Sequence, residues 1–230
     1  MIIAGFQKLS LVDFPGVISS VIFVQGCNFR CPYCQNPDLV TREKKFDCSE
    51  KEIFTYLDGR RKFVDGVVIT GGEPCIHKDL PDLVKRIKEK SLKVKLDTNG
   101  TGPLLLERLI TEKLLDHVSL DLKTSLKRYA LVSDKSDSAE KVRESIKVLK
   151  ASNVPHEYRT TCVPGIVDEA DIKEMGQEVK GEKEYVLQQF RNIITLDPEY
   201  KHVRPYPKET LIEFKEMLEK YVGHVGIRGI

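Results

Sequence analysis

Gly26-Cys27-Asn28-Phe29-Arg30-Cys31-Pro32-Tyr33-Cys34-Gln35-Asn36-Pro37 follows directly on the apolar, β-branched run Val21-Ile22-Phe23-Val24. Three cysteines separated by three and then two residues can place thiolates on three irons of a [4Fe-4S] cube, leaving the fourth iron without a protein ligand. An open iron is a binding position for a substrate or cofactor. A structural zinc site would need a fourth ligand, usually from a second cysteine or histidine pair, and no such pair follows at the expected distance. A zinc-binding structural module is thus the remote alternative. Six cysteines scattered over 230 residues, with no apolar leader at the start, fit a disulfide framework poorly and imply reduced thiols in the cytoplasm. Cys48, Cys75 and Cys162 stand alone and read as small buried apolar residues.

Working outward, short β-branched runs alternate with longer amphipathic ones. Strands are expected at Ser20–Gln25, Gly66–Thr70, Lys93–Thr98, His117–Leu122, His156–Val163 and Tyr185–Gln189. Helices are expected near Ser49–Leu57, Leu80–Lys90, Pro103–Lys113, Ala139–Ala151 and Glu169–Lys180. This alternation implies right-handed βαβ units on a parallel sheet. Six units are visible where a full eight-fold barrel needs ~250 residues, so the expected α/β fold is an incomplete (β/α)6 TIM-like barrel. The whole chain, 1–230, reads as one domain: an N-terminal extension over 1–19, the partial barrel over 20–191, and a C-terminal helix and tail over 192–230 that cover one edge. With 37 basic and 35 acidic side chains the charge favours neither nucleic acid nor a membrane surface. No apolar run approaches the ~18 residues of a membrane span.

In such a sheet chemistry sits at the carboxyl ends of the strands. The second expected strand ends Ile69-Thr70-Gly71-Gly72-Glu73-Pro74, where glycines let a ligand approach the backbone and Glu73 can accept from an ammonium group. The third ends Leu96-Asp97-Thr98-Asn99-Gly100 and the fourth Ser119-Leu120-Asp121-Leu122-Lys123. Adjacent strand ends bring Asp97 and Asp121 together, and two converging carboxylates call for a cation. Lys123, two residues past Asp121, emerges on the same face. The fifth gives Arg159-Thr160-Thr161-Cys162-Val163-Pro164-Gly165, with Arg159 a candidate carboxylate or ribose contact or a salt bridge at the barrel mouth.

The cysteine triad with Tyr33 before its third member, followed by Gly71-Gly72-Glu73-Pro74, resembles the signature of radical S-adenosylmethionine (radical SAM) enzymes. Asp97-Thr98-Asn99-Gly100 and Asp121-Leu122-Lys123 resemble their glycyl-radical-enzyme activase branch. Gly5 to Gly16 and the ending Gln188-Gln189-Phe190-Arg191 resemble anaerobic ribonucleoside-triphosphate reductase activating proteins, whereas the activators of pyruvate formate-lyase carry a proline, an aromatic and a histidine at the latter position. The resemblance implies cluster ligation by Cys27, Cys31 and Cys34 and SAM contacts from Tyr33, Gln35, Gly71, Gly72, Glu73, Asp97, Thr98, Asp121, Lys123 and Arg159. Among these, Lys123 has a catalytic role toward the methionyl carboxylate, and the two aspartates contribute to a monovalent-cation site. It further implies reductive cleavage of SAM, a glycyl-radical enzyme as protein substrate, and a flavodoxin- or ferredoxin-type electron donor, which the basic stretch Thr41-Arg42-Glu43-Lys44-Lys45 could receive. A radical SAM enzyme acting on a small molecule would share the whole cofactor site and is the main alternative.

Overall fold

A computed structural model describes residues 1–41 and 49–230. Eight strands form one sheet in sequential order: β1 (Ile3–Ser10), β2 (Ser19–Val24), β3 (Gly66–Gly71), β4 (Lys93–Thr98), β5 (His117–Asp121), β6 (His156–Cys162), β7 (Glu184–Gln189) and β8 (His224–Arg228). β1 runs antiparallel to β2, and every later pairing is parallel. The six strands expected from the sequence are β2 to β7, within a residue or two at their ends. Two strands are additional. The N-terminal extension supplies β1, and the tail expected only to cover an edge pairs with β7 as β8.

The helices are α1 (Pro37–Thr41), α2 (Glu50–Gly59), α3 (Leu80–Lys88), α4 (Pro103–Thr111), α5 (Ser138–Lys150), α6 (Glu169–Glu178) and α7 (Lys208–Leu218). Ser49 starts α2 with a reciprocal capping box: its hydroxyl accepts from the Glu52 N–H and the Glu52 carboxylate accepts from the Ser49 N–H, both at 3.2 Å. Asp168 and Asp171 cap α6 in the same way. Helices α2 to α7 each lie between consecutive parallel strands, and their apolar faces meet the outer face of the sheet in one large core. Among the described residues no helix is long and apolar enough to cross a membrane.

The inner face differs. Near the N-terminal ends of the strands it carries a small apolar cluster of Phe14, Val21 and Val68, with Val17 and Phe23 against it. Phe14 belongs to the β1–β2 connection and also meets the His117 ring of β5, centroids 6.0 Å apart. The connection therefore reaches under the curled sheet and plugs its lower end. Above this plug the inward positions of β4 to β6 are polar, all but one of them charged: Lys95 and Asp97, Ser119 and Asp121, Glu157 and Arg159. From the far edge, Arg228 of β8 reaches across β7 to hold Glu157 with both guanidinium nitrogens, at 3.1 and 2.8 Å. The sheet order leaves β1 and β8 unpaired with one another, so the curl is open along that seam.

Candidate active site

The cysteine loop leaves β2 and is fixed by its backbone. Gly26 N–H donates to Leu39 O at 2.7 Å, Arg30 N–H to Val132 O at 2.9 Å, and Asp197 N–H to Pro32 O at 2.9 Å. Tyr33 is buried and packs edge-on to Phe190, centroids 6.5 Å apart. The Gln35 carboxamide donates to Arg191 O at 3.1 Å. Cys27, Cys31 and Cys34 line one cavity with Tyr33, Gln35, Gly71, Gly72, Glu73, Asp97, Thr98, Asp121, Lys123 and Arg159, so every residue singled out in the sequence borders a single space.

Burial pushes the Cys27 thiol up to about 11 and the Cys31 thiol up to about 12, with the Lys123 charge opposing the rise in both. These two thiols are therefore protonated in the bare protein, and ligation of a metal group would release their protons. The Phe29 N–H already donates to Cys27 Sγ at 3.4 Å. Among the described residues no three His, Cys, Asp or Glu side chains converge on one point suited to a single metal ion. Zinc needs all its ligand atoms ~2.3 Å from one centre. A cube offers separate corners to separate thiols, so the donor set fits a cluster better than zinc.

The turn after β3 meets this loop at close quarters. Gly72 N–H donates to Val24 O and Glu73 N–H to Gly26 O, both at 2.8 Å. A Cβ on Gly72 would lie 1.9 Å from Gly26 O, and Gly71 has φ +116°. The glycines thus admit the cysteine loop's own backbone, a closer neighbour than the ligand expected from the sequence. Glu73, 1% exposed, accepts from Thr98 Oγ1 at 2.7 Å and Cys75 N–H at 2.8 Å on one oxygen, and from Asn99 N–H at 2.6 Å on the other. Burial raises its pKa, against the pull of these bonds. Three of about four lone-pair sites are filled, which leaves one for an ammonium donor. The bracket continues through Asn99 Nδ2 to Asn28 Oδ1 at 2.9 Å and Asn28 Nδ2 to Thr101 Oγ1 at 2.7 Å, locking β4 to the cysteine loop.

Across the cavity the charges alternate. Lys95 pairs with Asp97, Asp97 with Arg159 at 3.2 Å, Arg159 with Asp121 at 2.6 Å, and Asp121 with Lys123 at 2.8 Å. The expected convergence of Asp97 and Asp121 is present, but the cation between them is Arg159, aligned with Asp121 by the β5–β6 register. Within the protein, Arg159 and the flanking Lys95 and Lys123 offset the repulsion of the two carboxylates. Burial alone would raise both carboxyl pKa values; the neighbouring cations hold them below the ordinary range. For Lys123, burial is outweighed by the Asp121 charge and its pKa is raised. Arg159 therefore occupies the barrel-mouth salt bridge and still borders the cavity.

Sequence reasoning missed Lys95, Asn28, Asn99 and Thr101. Lys95 had a legible signal: it lies two residues before Asp97, hence on the same strand face, and is flanked by the apolar Val94 and Leu96. The asparagine bracket had none, because its partners are brought together only by the packing of two loops.

Residues 21–179 match the radical SAM superfamily. A Methanocaldococcus jannaschii protein named provisionally as a glycyl-radical enzyme activating enzyme is 39% identical over 100% of this chain and 96% of its own length. The pyruvate formate-lyase 1-activating enzyme of Escherichia coli is 29% identical over 96% of each chain. Among solved structures, a radical SAM methyltransferase from Sphaerobacter thermophilus superposes with a TM-score of 0.66 over 96% of this chain and 68% of that one, at 14% identity, a likeness of fold alone. The thiol-lined cavity at the strand ends, the parallel sheet that builds it and these full-length likenesses agree: the chain belongs to the radical SAM superfamily, in its glycyl-radical enzyme activating branch.

Proposed function

We propose that this chain, as a single domain in the cytoplasm, generates a glycyl radical on a partner enzyme, and that anaerobic ribonucleotide reductase is that partner. The observation that carries the reading is the shared cavity, where three thiols on one loop face the cationic end of an alternating charge ladder. Radical SAM proteins use a [4Fe-4S] cluster and S-adenosylmethionine. When bound, this pair supplies one-electron cleavage of the sulfonium and, through it, abstraction of a hydrogen atom.

The protein's own part is binding, orientation and exclusion of water. Cys27, Cys31 and Cys34 would hold three corners of the cluster. Lys123, fixed by Asp121, offers a preset positive charge to the methionyl carboxylate, and Glu73 offers its remaining lone pair to the amine. Tyr33 and Gln35 edge the adenine side, Gly71 and Gly72 seat the loop, and Thr98 and Asp97 brace Glu73 and Arg159. A flavodoxin- or ferredoxin-type protein is the electron donor in this reading. The basic stretch that could receive it lies, from Arg42 onward, outside the described residues, as does Cys48.

The choice of partner rests on the N-terminal segment and on Gln188-Gln189-Phe190-Arg191. The full-length likeness to a pyruvate formate-lyase activating enzyme favours a formate-lyase-type partner as the second reading. The test is anaerobic reconstitution with iron and sulfide, then reduction with SAM and each glycyl-radical enzyme of the same organism. A doublet EPR signal on the partner, with 5′-deoxyadenosine formed in step, is expected first with the ribonucleotide reductase. Slow 5′-deoxyadenosine release with every candidate and no protein radical would end the activase reading and leave the small-molecule one.

A further inference from the structure

One member of the charge ladder stands behind the cavity. Lys95, only 1% exposed, lies two residues before Asp97 on β4, so it shares that strand face but sits deeper in the barrel. Asp97 borders the cavity that holds the cysteines, and Lys95 grips its carboxylate from below. A buried ion pair is often no more stabilising than an apolar pair of the same volume. Stability alone therefore does not account for an ammonium group at this depth.

The pairing pattern shows what Lys95 completes. Asp97 Oδ1 is held by Lys95 and Oδ2 by Arg159 at 3.2 Å, while Asp121 Oδ1 is held by Arg159 at 2.6 Å and Oδ2 by Lys123 at 2.8 Å. Each of the four oxygens of the converging carboxylates thus faces a cation that belongs to the chain. Three cations stand against two carboxylates, so this wall carries a surplus of one positive charge. Glu157, the neighbouring acid on the inner face, is matched separately by Arg228. A mobile cation approaching the complete ladder would meet like charge at both aspartates. Take Lys95 away and the wall becomes neutral, with one Asp97 oxygen open to such an ion.

Converging carboxylates of this kind call for a cation, and the resemblance drawn from the sequence implies a monovalent one. We infer that Lys95 is that cation in tethered form: a positioning residue that completes the charge of the Asp97–Asp121 pair, so that Arg159 and Lys123 hold their places and SAM binds without a free alkali ion. The inference rests on SAM occupying the cavity with the cysteines. It adds a role for a side chain that touches neither cluster nor SAM.

The experiment measures SAM affinity of the anaerobically reconstituted enzyme by calorimetric titration in potassium, sodium, ammonium and tetramethylammonium chloride at one ionic strength. Tetramethylammonium is too bulky to fit between the carboxylates and serves as the blank. Wild type should bind SAM equally in all four salts, a comparison that needs no variant to fold. Lys95→Met keeps the packed stem and removes the charged head. In tetramethylammonium its SAM dissociation constant should rise about tenfold or more, and potassium or ammonium should restore most of the loss. The double variant Lys95→Met with Asp97→Asn removes the charge that the ion would answer, and should show no preference among the salts. Urea unfolding of the bare protein tests the ion without SAM: potassium should stabilise Lys95→Met more than it stabilises wild type, by mass action on the folded state. Wild-type affinity that rises with potassium or sodium, or a Lys95→Met protein that responds to the salts no more than wild type does, would overturn the assignment. A wild-type enzyme that takes up iron and sulfide yet binds no SAM would sink the placement of SAM, and the urea comparison would then decide the ion question by itself.

Discussion

Arg159 is the residue on which the strand-end charges turn, because its guanidinium alone bridges Asp97 and Asp121. Arg159→Met would leave two buried carboxylates with only the outlying Lys95 and Lys123, and removing one partner of a buried ion pair costs about 3 to 5 kcal/mol. Urea unfolding should show a loss of that size. Arg159→Lys should recover only part, since one ammonium cannot reproduce the planar fork; full recovery would mean that charge alone matters there. Gly72 makes a second case. Gly72→Ala forces a methyl group into Gly26 O, which is backbone and cannot swing aside. A cost of about 2 to 3 kcal/mol, together with reduced iron uptake on reconstitution, is expected, and wild-type iron content would contradict the contact. Each residue was legible in the sequence as a strand-end group; its neighbour was not. Arg159 read equally as a ligand contact or a salt bridge until the β5–β6 register set Asp121 beside it and its guanidinium reached Asp97 on β4.

At the scale of elements, β2 and β3 were legible as apolar, β-branched runs and β4 to β7 as short segments mixing apolar with polar positions, each set off by amphipathic helices. β1 was not, since Ile3–Ser10 ends in exposed Gln7, Lys8 and Leu9 and leaves one side of the sheet's edge to solvent. β8, only five residues with a glycine at its centre, carries too little pattern to announce itself. The β1–β2 connection was likewise silent, yet it sets the chemistry of His117. Burial first, and the Lys95 charge second, push the His117 imidazole down to about 4, against the opposing charges of Glu157 and Asp97. A histidine kept neutral in the fold takes up its proton on unfolding. Its contribution is therefore complete above the unfolded value of ~6.5 and is lost as pH falls toward 4. Between those limits wild-type stability should decline with a linkage of up to one proton beyond that of His117→Gln. Equal slopes for the two proteins, measured by urea unfolding across this range, would show that His117 titrates freely beneath Phe14.

For the whole molecule, the inner face ties the last strand, β8, to β6 across β7. Arg228, two residues from the C-terminus, satisfies Glu157, which also accepts from the Ser119 hydroxyl at 2.7 Å. Arg228→Met should leave Glu157 without its guanidinium partner and destabilise the fold by about 2 to 3 kcal/mol, with partial restoration in the double variant carrying Glu157→Gln. Additive losses in that pair would rule out the coupling. Such long-range ties escape a sequence reading because nothing local marks a basic tail residue as the partner of an acid on a central strand. The cysteine loop shows what this framework achieves. Its backbone is tied to α1, to the β3 turn, to Val132 and to Asp197 by bonds that involve no thiol. The polypeptide around the sulfurs is therefore a mould set before casting. Little chain entropy remains to be lost when a cluster arrives, so maturation becomes a late, refillable step: stripped of iron, the protein should keep its secondary structure and take the metal back without refolding.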